Sequence, residues 1–164
     1  MISFMIIAAP RSASAWASVW LTTDTTLCIH EPLTRWRQEQ LDGIPSIKAL
    51  GVACTALARF PDFVNAHPAR KVILHRSERE VRASMASLGI AGDYDFRALD
   101  RINGNHCDWR ELFTDPEPIY TYLLGKPFDA ERHHELVGMN MQNDRVIGAI
   151  RRMQRETARA SAHG

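Results

Sequence analysis

Residues 2–16 read ISFMIIAAPRSASAW, and this stretch decides the fold because it joins a strand pattern to a helix pattern through a short turn. The run at 2–9 is apolar at every position but Ser3 and is ended by Pro10, which is typical of a strand covered on both faces of a parallel sheet. Apolar residues then recur at helical spacing over 13–22. We therefore expect a buried strand, a tight turn and a helix.

The same alternation of strands and helices continues along the chain. Further strands are predicted at 26–30, 47–55 and 71–75, and helices at 61–67, 77–88 and 143–159. Residues 33–46 favour a short helix or a loop, and the pattern beyond residue 89 is helical. Buried strands that alternate with helices predict an α/β fold. We expect a three-layer parallel sheet flanked by helices, with a mostly helical C-terminal third.

The composition predicts one globular domain over residues 1–164, with 1–90 as the α/β core and 91–164 completing it. The chain is 45% apolar and 24% charged, and its formal net charge is +1. This near-neutral charge argues against a nucleic-acid partner, since such proteins carry a basic face. The first apolar run is far shorter than the roughly 20 residues of a membrane span, so we expect no membrane partner.

The cysteines and histidines predict neither disulfides nor a metal. Cys28, Cys54 and Cys107 form an odd set at wide spacings, which favours a reducing compartment and a cytoplasmic protein. The chain has seven histidines, and none stands in a recognised zinc-ligand spacing. Two tryptophans close together in the first helix and a basic last helix leave room for a homodimer.

The turn after the first strand is the strongest candidate site. A helix that begins there presents free N–H groups and the positive end of its dipole, which suits phosphate or sulfate. Arg11 adds a permanent charge. Small residues let an anion approach the backbone: Ser12, Ala13, Ser14 and Ala15. Neither GxxxxGK[ST] nor GxGxxG is present. The alternative is a small-residue turn that only packs tightly against the sheet.

The segment PRSASAW, residues 10–16, resembles the phosphosulfate-binding loop of sulfotransferases, usually written P-[KR]-S-G-[ST]-[ST]-W. Five positions fit: Pro10, Arg11, Ser12, Ser14 and Trp16. Ala13 stands where the family has glycine, and Ala15 where it usually has Ser or Thr.

This resemblance implies a P-loop-like core and 3′-phosphoadenosine 5′-phosphosulfate (PAPS) as donor, with no metal. The backbone N–H groups of residues 12–15, with the hydroxyls of Ser12 and Ser14, would bind the 5′-phosphosulfate. Arg11 would stabilise charge on the leaving phosphate oxygen. Trp16 would stack on the adenine or pack beneath the loop.

A second strand–helix junction, KVILHRSEREVRASM at 71–85, repeats this layout. It resembles the sulfotransferase element ILRDPREVAAS, in which an arginine and a serine eight positions later hold the 3′-phosphate of the nucleotide. Arg76 and Ser84 reproduce that pair. The alternative is that Arg76 pairs with Glu80 one helical turn later and that Ser84 is a small packing residue.

Residues 28–33, CIHEPL, follow the second strand and should lie at the carboxyl edge of the sheet, where open α/β sheets bind ligands. Several bacterial and carbohydrate sulfotransferases carry a glutamate there that acts as base. The resemblance thus assigns Glu31 as the base, with His30 as its substitute. The alternative is that Glu31-Pro32 only ends the strand.

Residues 104–114, GNHCDWRELFT, are similar to a stretch G-x-x-G-D-W-K-x-x-F-T with which cytosolic sulfotransferases close over the nucleotide. The positions that align are Gly104, Asp108, Trp109, Arg110, Phe113 and Thr114. A plain helix with its aromatic residues in the core is the alternative.

Three functions remain open from the sequence. The first is a small PAPS-dependent sulfotransferase that acts on a hydroxyl acceptor. The second is a P-loop kinase or phosphotransferase that uses the same anion sites. The third is a non-catalytic nucleotide- or anion-binding protein, for which Ala13 in the loop argues.

Overall fold

The computed structural model describes residues 1–139, so the helix predicted at 143–159 lies outside the described residues. Within them the strands are β1 Ile2–Ala8, β2 Thr26–His30, β3 Ala49–Cys54, β4 Arg70–His75 and β5 Asn105–Asp108. The helices are α1 Ser14–Trp20, α2 Pro61–Ala66, α3 Glu78–Ala86, α4 Glu111–Thr114, α5 Pro116–Leu124 and α6 Ala130–Val137. Short 3₁₀ segments cover Pro32–Thr34, Gln38–Gly43, Ala56–Arg59 and Phe96–Arg101.

The strands form one parallel sheet in the order β2-β3-β1-β4-β5. The central strand is β1, where Ile6 lies opposite Ala53 of β3 and Val72 of β4. From β1 the chain crosses to the β2 edge, whereas from β4 it crosses to the β5 edge. The carboxyl ends of β1 and β4 therefore flank the point where the strand order reverses, and parallel α/β sheets bind ligands there.

Both faces of the sheet are covered, as the continuous apolar run of β1 predicts. Met5 and Ile7 pack on one face with a cluster that includes Val81 of α3. Ile6 and its neighbours two residues away point to the other face, where they pack with Trp20 of α1. Because successive strand residues alternate between faces, this arrangement gives three layers. The expectation of an α/β fold with a parallel sheet flanked by helices is confirmed.

The edge strand β5 corrects the expectation that the chain is helical beyond residue 89. Its four residues, Asn105–Asp108, are mostly exposed and contain no apolar run, so their pattern carries no strand signal. What makes them a strand is pairing with β4, where His106 lies opposite Ile73. Gly104 permits this approach, because a Cβ there would lie 2.5 Å from the Ile73 Cδ1 atom. The other described elements after residue 89 are helical.

None of the helices within residues 1–139 combines the length and the apolar character needed to cross a lipid bilayer.

Candidate functional site

The turn between β1 and α1 has an unusual backbone. Arg11 has φ 64° and Ala13 has φ 62°, both in the left-handed region that L-residues with a Cβ seldom occupy. Ala13 immediately precedes α1 and stands where the resembled loop has glycine. The backbone therefore adopts a glycine-like conformation without a glycine, at a cost of about 1 kcal/mol. Strained turns of this kind concentrate at ligand-binding positions.

The hydroxyls of this turn differ in their partners. Ser12 is fully buried, and its Oγ atom has no hydrogen-bond partner within residues 1–139. Ser14 Oγ lies 3.2 Å from His30 Nε2, so it connects the turn to the end of β2. Ala15 lies in the first turn of α1, where its carbonyl accepts a 2.7 Å bond from the Ser18 hydroxyl. A buried hydroxyl without a partner is uncommon in folded proteins, and Ser12 is a donor that a ligand oxygen can satisfy.

Arg11, Arg76 and Ser84 come together from three separate elements. The Arg11 Nε–H donates to Ser84 Oγ at 3.2 Å, and an Arg76 N–H donates to the backbone carbonyl of Arg11. Burial is the main cause of a lowered pKa at Arg11, and the nearby charge of Arg76 lowers that pKa further. The residues assigned to two different junctions thus form one cluster that holds two guanidinium groups.

Arg76 does not make the alternative ion pair with Glu80. Glu80 instead accepts hydrogen bonds from Arg110 and from the Ser77 hydroxyl, which is 2.7 Å away. Arg76 lies over the Trp109 ring, 4.5 Å from the ring centre. Among the described residues, its buried Nε atom has no hydrogen-bond acceptor. The Arg76 guanidinium is therefore fixed in place while one of its donors is left for an external acceptor.

Glu31 and His30 follow β2 and lie at the same edge of the sheet. The Glu31 carboxylate accepts a 2.9 Å bond from the Thr55 N–H and a 3.3 Å bond from the Cys54 thiol. His30 Nε2 lies 3.8 Å from Glu31 Oε1, and both side chains are about one-quarter exposed, at 25% and 23%. Glu31 therefore does more than end the strand, because its carboxylate joins the end of β2 to the end of β3.

The Cys54 thiol stays protonated in this arrangement. The pKa of Cys54 is raised to about 12, mainly because the thiol is buried and further because the Glu31 carboxylate lies next to it. The thiol is therefore a hydrogen-bond donor to Glu31 at neutral pH and a poor nucleophile.

Trp16 is placed by the structure in the core beneath the loop. Only 5% of it is exposed, and its indole N–H donates a 3.0 Å bond to the Leu136 carbonyl of α6. The rings of Trp20, Phe113 and His133 surround it. Of the two roles expected for Trp16, packing beneath the loop is the one seen, because a ring enclosed in this way has no open face for an adenine.

Tyr94 is a residue at this edge that the sequence did not single out. Its hydroxyl donates a 3.2 Å bond to the Ala8 carbonyl at the end of β1. Burial is the main cause of a raised pKa at Tyr94, and the nearby charge of Glu31 adds to it. Tyr94 stands in the irregular stretch between α3 and the next 3₁₀ segment, where no periodicity or motif marks it.

Within residues 1–139, no group of three or more His, Cys, Asp or Glu side chains is placed so that it could hold a metal ion.

Comparisons with protein-family models, with curated proteins and with solved structures find no match to this chain.

Proposed function

We propose that this protein binds PAPS through its P-loop-like core and transfers the sulfuryl group to a hydroxyl acceptor. The observation that carries the proposal is the meeting of Arg11 and Arg76 at the carboxyl edge, with Ser84 bonded to Arg11. These residues occupy the positions that the sulfotransferase resemblance assigns to the phosphosulfate and to the 3′-phosphate.

The electrostatics of the cluster favour an anion. Burial first, and the like charge of Arg76 second, lower the pKa of Arg11, because both disfavour its protonated state. A phosphate or sulfate group placed between the guanidiniums removes this repulsion and accepts charge-assisted hydrogen bonds. Two buried donors that lack an acceptor among the described residues, Ser12 Oγ and Arg76 Nε, add two hydrogen bonds that such a ligand can complete.

The topology supports the same position. Arg11 follows β1 and Arg76 follows β4, the two strands that flank the reversal of strand order. Nucleotides bind in this crevice in other open α/β sheets.

The reaction needs one proton acceptor and one anion stabiliser. A bond forms between the acceptor oxygen and sulfur, while the bond from sulfur to the bridging phosphate oxygen breaks. The electron pair leaves with 3′-phosphoadenosine 5′-phosphate (PAP), whose new charge Arg11 stabilises. The acceptor proton passes to His30, since imidazole is the commonest general base near neutral pH, while the bonds from Thr55 and Cys54 hold the Glu31 carboxylate in place. The Glu31 carboxylate, 3.8 Å away, stabilises the resulting imidazolium.

A second candidate function is binding of the same nucleotide without transfer. Two observations favour it: Ala13 holds a left-handed conformation that suits glycine, and Ala15 supplies no hydroxyl to the loop. Both would weaken contacts to the transferred group while they leave Arg76 and Ser84 in place.

Calorimetric titration with PAP, AMP and ATP tests the binding. We expect micromolar affinity for PAP, weaker binding of AMP and ATP, and a roughly 10- to 100-fold loss for Arg76→Ala, since hydrogen bonds to charged groups contribute about 1.5–3 kcal/mol. Arg79→Ala is the matched control, because Arg79 is an exposed arginine only three residues later, in α3. Equal affinities for PAP and AMP, or equal losses in the two variants, would overturn the proposal.

Release of PAP from PAPS separates transfer from binding alone. With phenol as the probe acceptor, His30→Ala should slow release by about 100-fold or more, which is the usual contribution of general base catalysis. Its affinity for PAP should stay within about twofold of wild type. If the wild-type protein binds PAP but releases none from PAPS, the second candidate function holds.

A further inference from the structure

We propose that Trp109 is a positioning residue that holds the Arg76 guanidinium toward the 3′-phosphate of the bound nucleotide. This inference rests on the proposed function. The two residues come from different strand ends, since Arg76 follows β4 and Trp109 follows β5. The backbone N–H of Trp109 donates a 2.9 Å bond to the backbone carbonyl of His75, which fixes the two strand ends next to each other.

The indole ring is the main described contact of the Arg76 head group. The Arg76 Cζ atom lies 4.5 Å from the centre of the Trp109 ring, within the range in which a ring face attracts a cation. Its only hydrogen bond among the described residues goes to the Arg11 carbonyl. No carboxylate within residues 1–139 forms an ion pair with it. A neutral ring can therefore orient this charge without neutralising it.

A second arginine secures the ring. The Arg110 Cζ atom lies 5.2 Å from the centre of the Trp109 ring. Unlike Arg76, Arg110 is neutralised, because it pairs with Asp108 at 3.2 Å and with Glu80 of α3. Arg110 thus links the β5 end to α3 while its charge is compensated. Of the two arginines on the ring, Arg110 is ion-paired, whereas Arg76 makes no ion pair within residues 1–139. The charge of Arg76 acts on Glu80 only through a weaker interaction that helps to lower the Glu80 pKa, after the bond from Ser77 and the charge of Arg110.

Unsatisfied donors point to where the ligand lies. Both the Arg76 Nε and the Trp109 Nε1 atoms are buried and have no hydrogen-bond partner in the described part of the chain, although their side chains are in contact. Both atoms are donors, so neither can satisfy the other. An anionic ligand oxygen beside Arg76 is the hydrogen-bond acceptor that both donors lack.

The test compares discrimination between PAP and AMP, which differ in the 3′-phosphate. We expect Trp109→Leu to reduce the ratio of AMP to PAP dissociation constants by about fivefold, as loss of a cation–π contact predicts. Trp109→Phe keeps a ring face and should retain most of the ratio. Trp36→Leu is the matched control, since Trp36 is a partly buried tryptophan packed on the other face of the sheet, and it should leave the ratio unchanged. A general loss of stability would weaken both nucleotides alike.

The unliganded protein gives an independent reading by NMR. In wild type the Arg76 Nε–H should be shifted upfield by the ring current and should exchange slowly with water. Trp109→Leu should remove both signatures, whereas Trp36→Leu should not.

Two results would overturn the inference: an unchanged ratio in Trp109→Leu alongside a reduced ratio in Arg76→Ala, or an Arg76 signal that Trp109→Leu leaves unaltered. If wild type binds neither nucleotide, the proposed function fails. An Arg76 signal that then depends on Trp109 would still support the positioning contact by itself.

Discussion

The Arg76 guanidinium donates a hydrogen bond to the backbone carbonyl of Arg11, which ties the end of β4 to the turn after β1. Arg11 in turn bonds Ser84 of α3 through its own side chain. Two strand ends and one helix thus share a cluster whose charge is positive. Three features around this cluster each give a separate prediction: the backbone of the turn at Ala13, the buried Trp16 ring beneath the turn, and the Cys54 thiol bonded to Glu31.

The left-handed conformation of Ala13 predicts that glycine is the better residue at this position. Ala13→Gly should raise the free energy of unfolding by about 0.5–1 kcal/mol, because glycine adopts φ 62° without steric cost. Ala15→Gly is the control and should lower it by a similar amount, since Ala15 has helical backbone. Urea unfolding of both variants measures the effect. A loss of stability in Ala13→Gly would show that the turn is unstrained.

The enclosed position of Trp16 predicts a structural effect and no direct effect on nucleotide binding. Trp16→Phe loses the bond to the Leu136 carbonyl and leaves space in the core, which should cost about 1–3 kcal/mol of unfolding free energy. Chemical denaturation gives this number, and calorimetry should show PAP affinity within about twofold of wild type. Weaker PAP binding with unchanged stability would instead assign the ring to the adenine.

The buried thiol of Cys54 predicts a loss of stability in alkali. Its pKa is raised from the ordinary value of 9.0 to about 12. The unfolded chain therefore releases this proton first as the pH rises, and the free energy of unfolding falls between these two values. Below pH 9 the contribution is fully present.

Cys54→Ser isolates this effect, because a serine hydroxyl does not titrate there and still offers a donor to Glu31. The stability of the variant, followed by urea unfolding from about pH 8 to about pH 10, should decline less steeply than that of wild type. Cys28 and Cys107 remain in both proteins and cancel in the comparison. Parallel curves would contradict a thiol that stays protonated.

The sequence predicts those parts of the fold that local pattern controls. The centres of β1 and β4 are apolar because both of their faces are covered there, and both strands are found where they were predicted. Strand β5 escapes prediction because its exposed residues depend on pairing with β4, which no local pattern encodes. The start of α3 is set just as locally, since the Ser77 hydroxyl accepts a bond from the Glu80 backbone N–H three residues later.

In the candidate site, too, the sequence indicates the residues that belong to local motifs and misses the contacts between distant segments. The resemblance to two short sulfotransferase elements singles out Arg11, Arg76 and Ser84, because each element is a local stretch of sequence. The contact of Trp109 with Arg76 and the bond from Tyr94 to Ala8 join residues far apart in sequence. Such contacts follow from the strand order, which spacing within one segment does not reveal.

The central claim, that Arg11 and Arg76 act on one bound nucleotide, is tested most directly by a double-mutant cycle on PAP affinity. The variants are Arg11→Ala, Arg76→Ala and the two combined, each titrated by calorimetry. We predict that the loss of PAP binding free energy in the double variant differs from the sum of the two single losses by more than about 0.5 kcal/mol, since residues that share a partner are coupled. Additive losses, or wild-type protein that does not bind PAP, would contradict it.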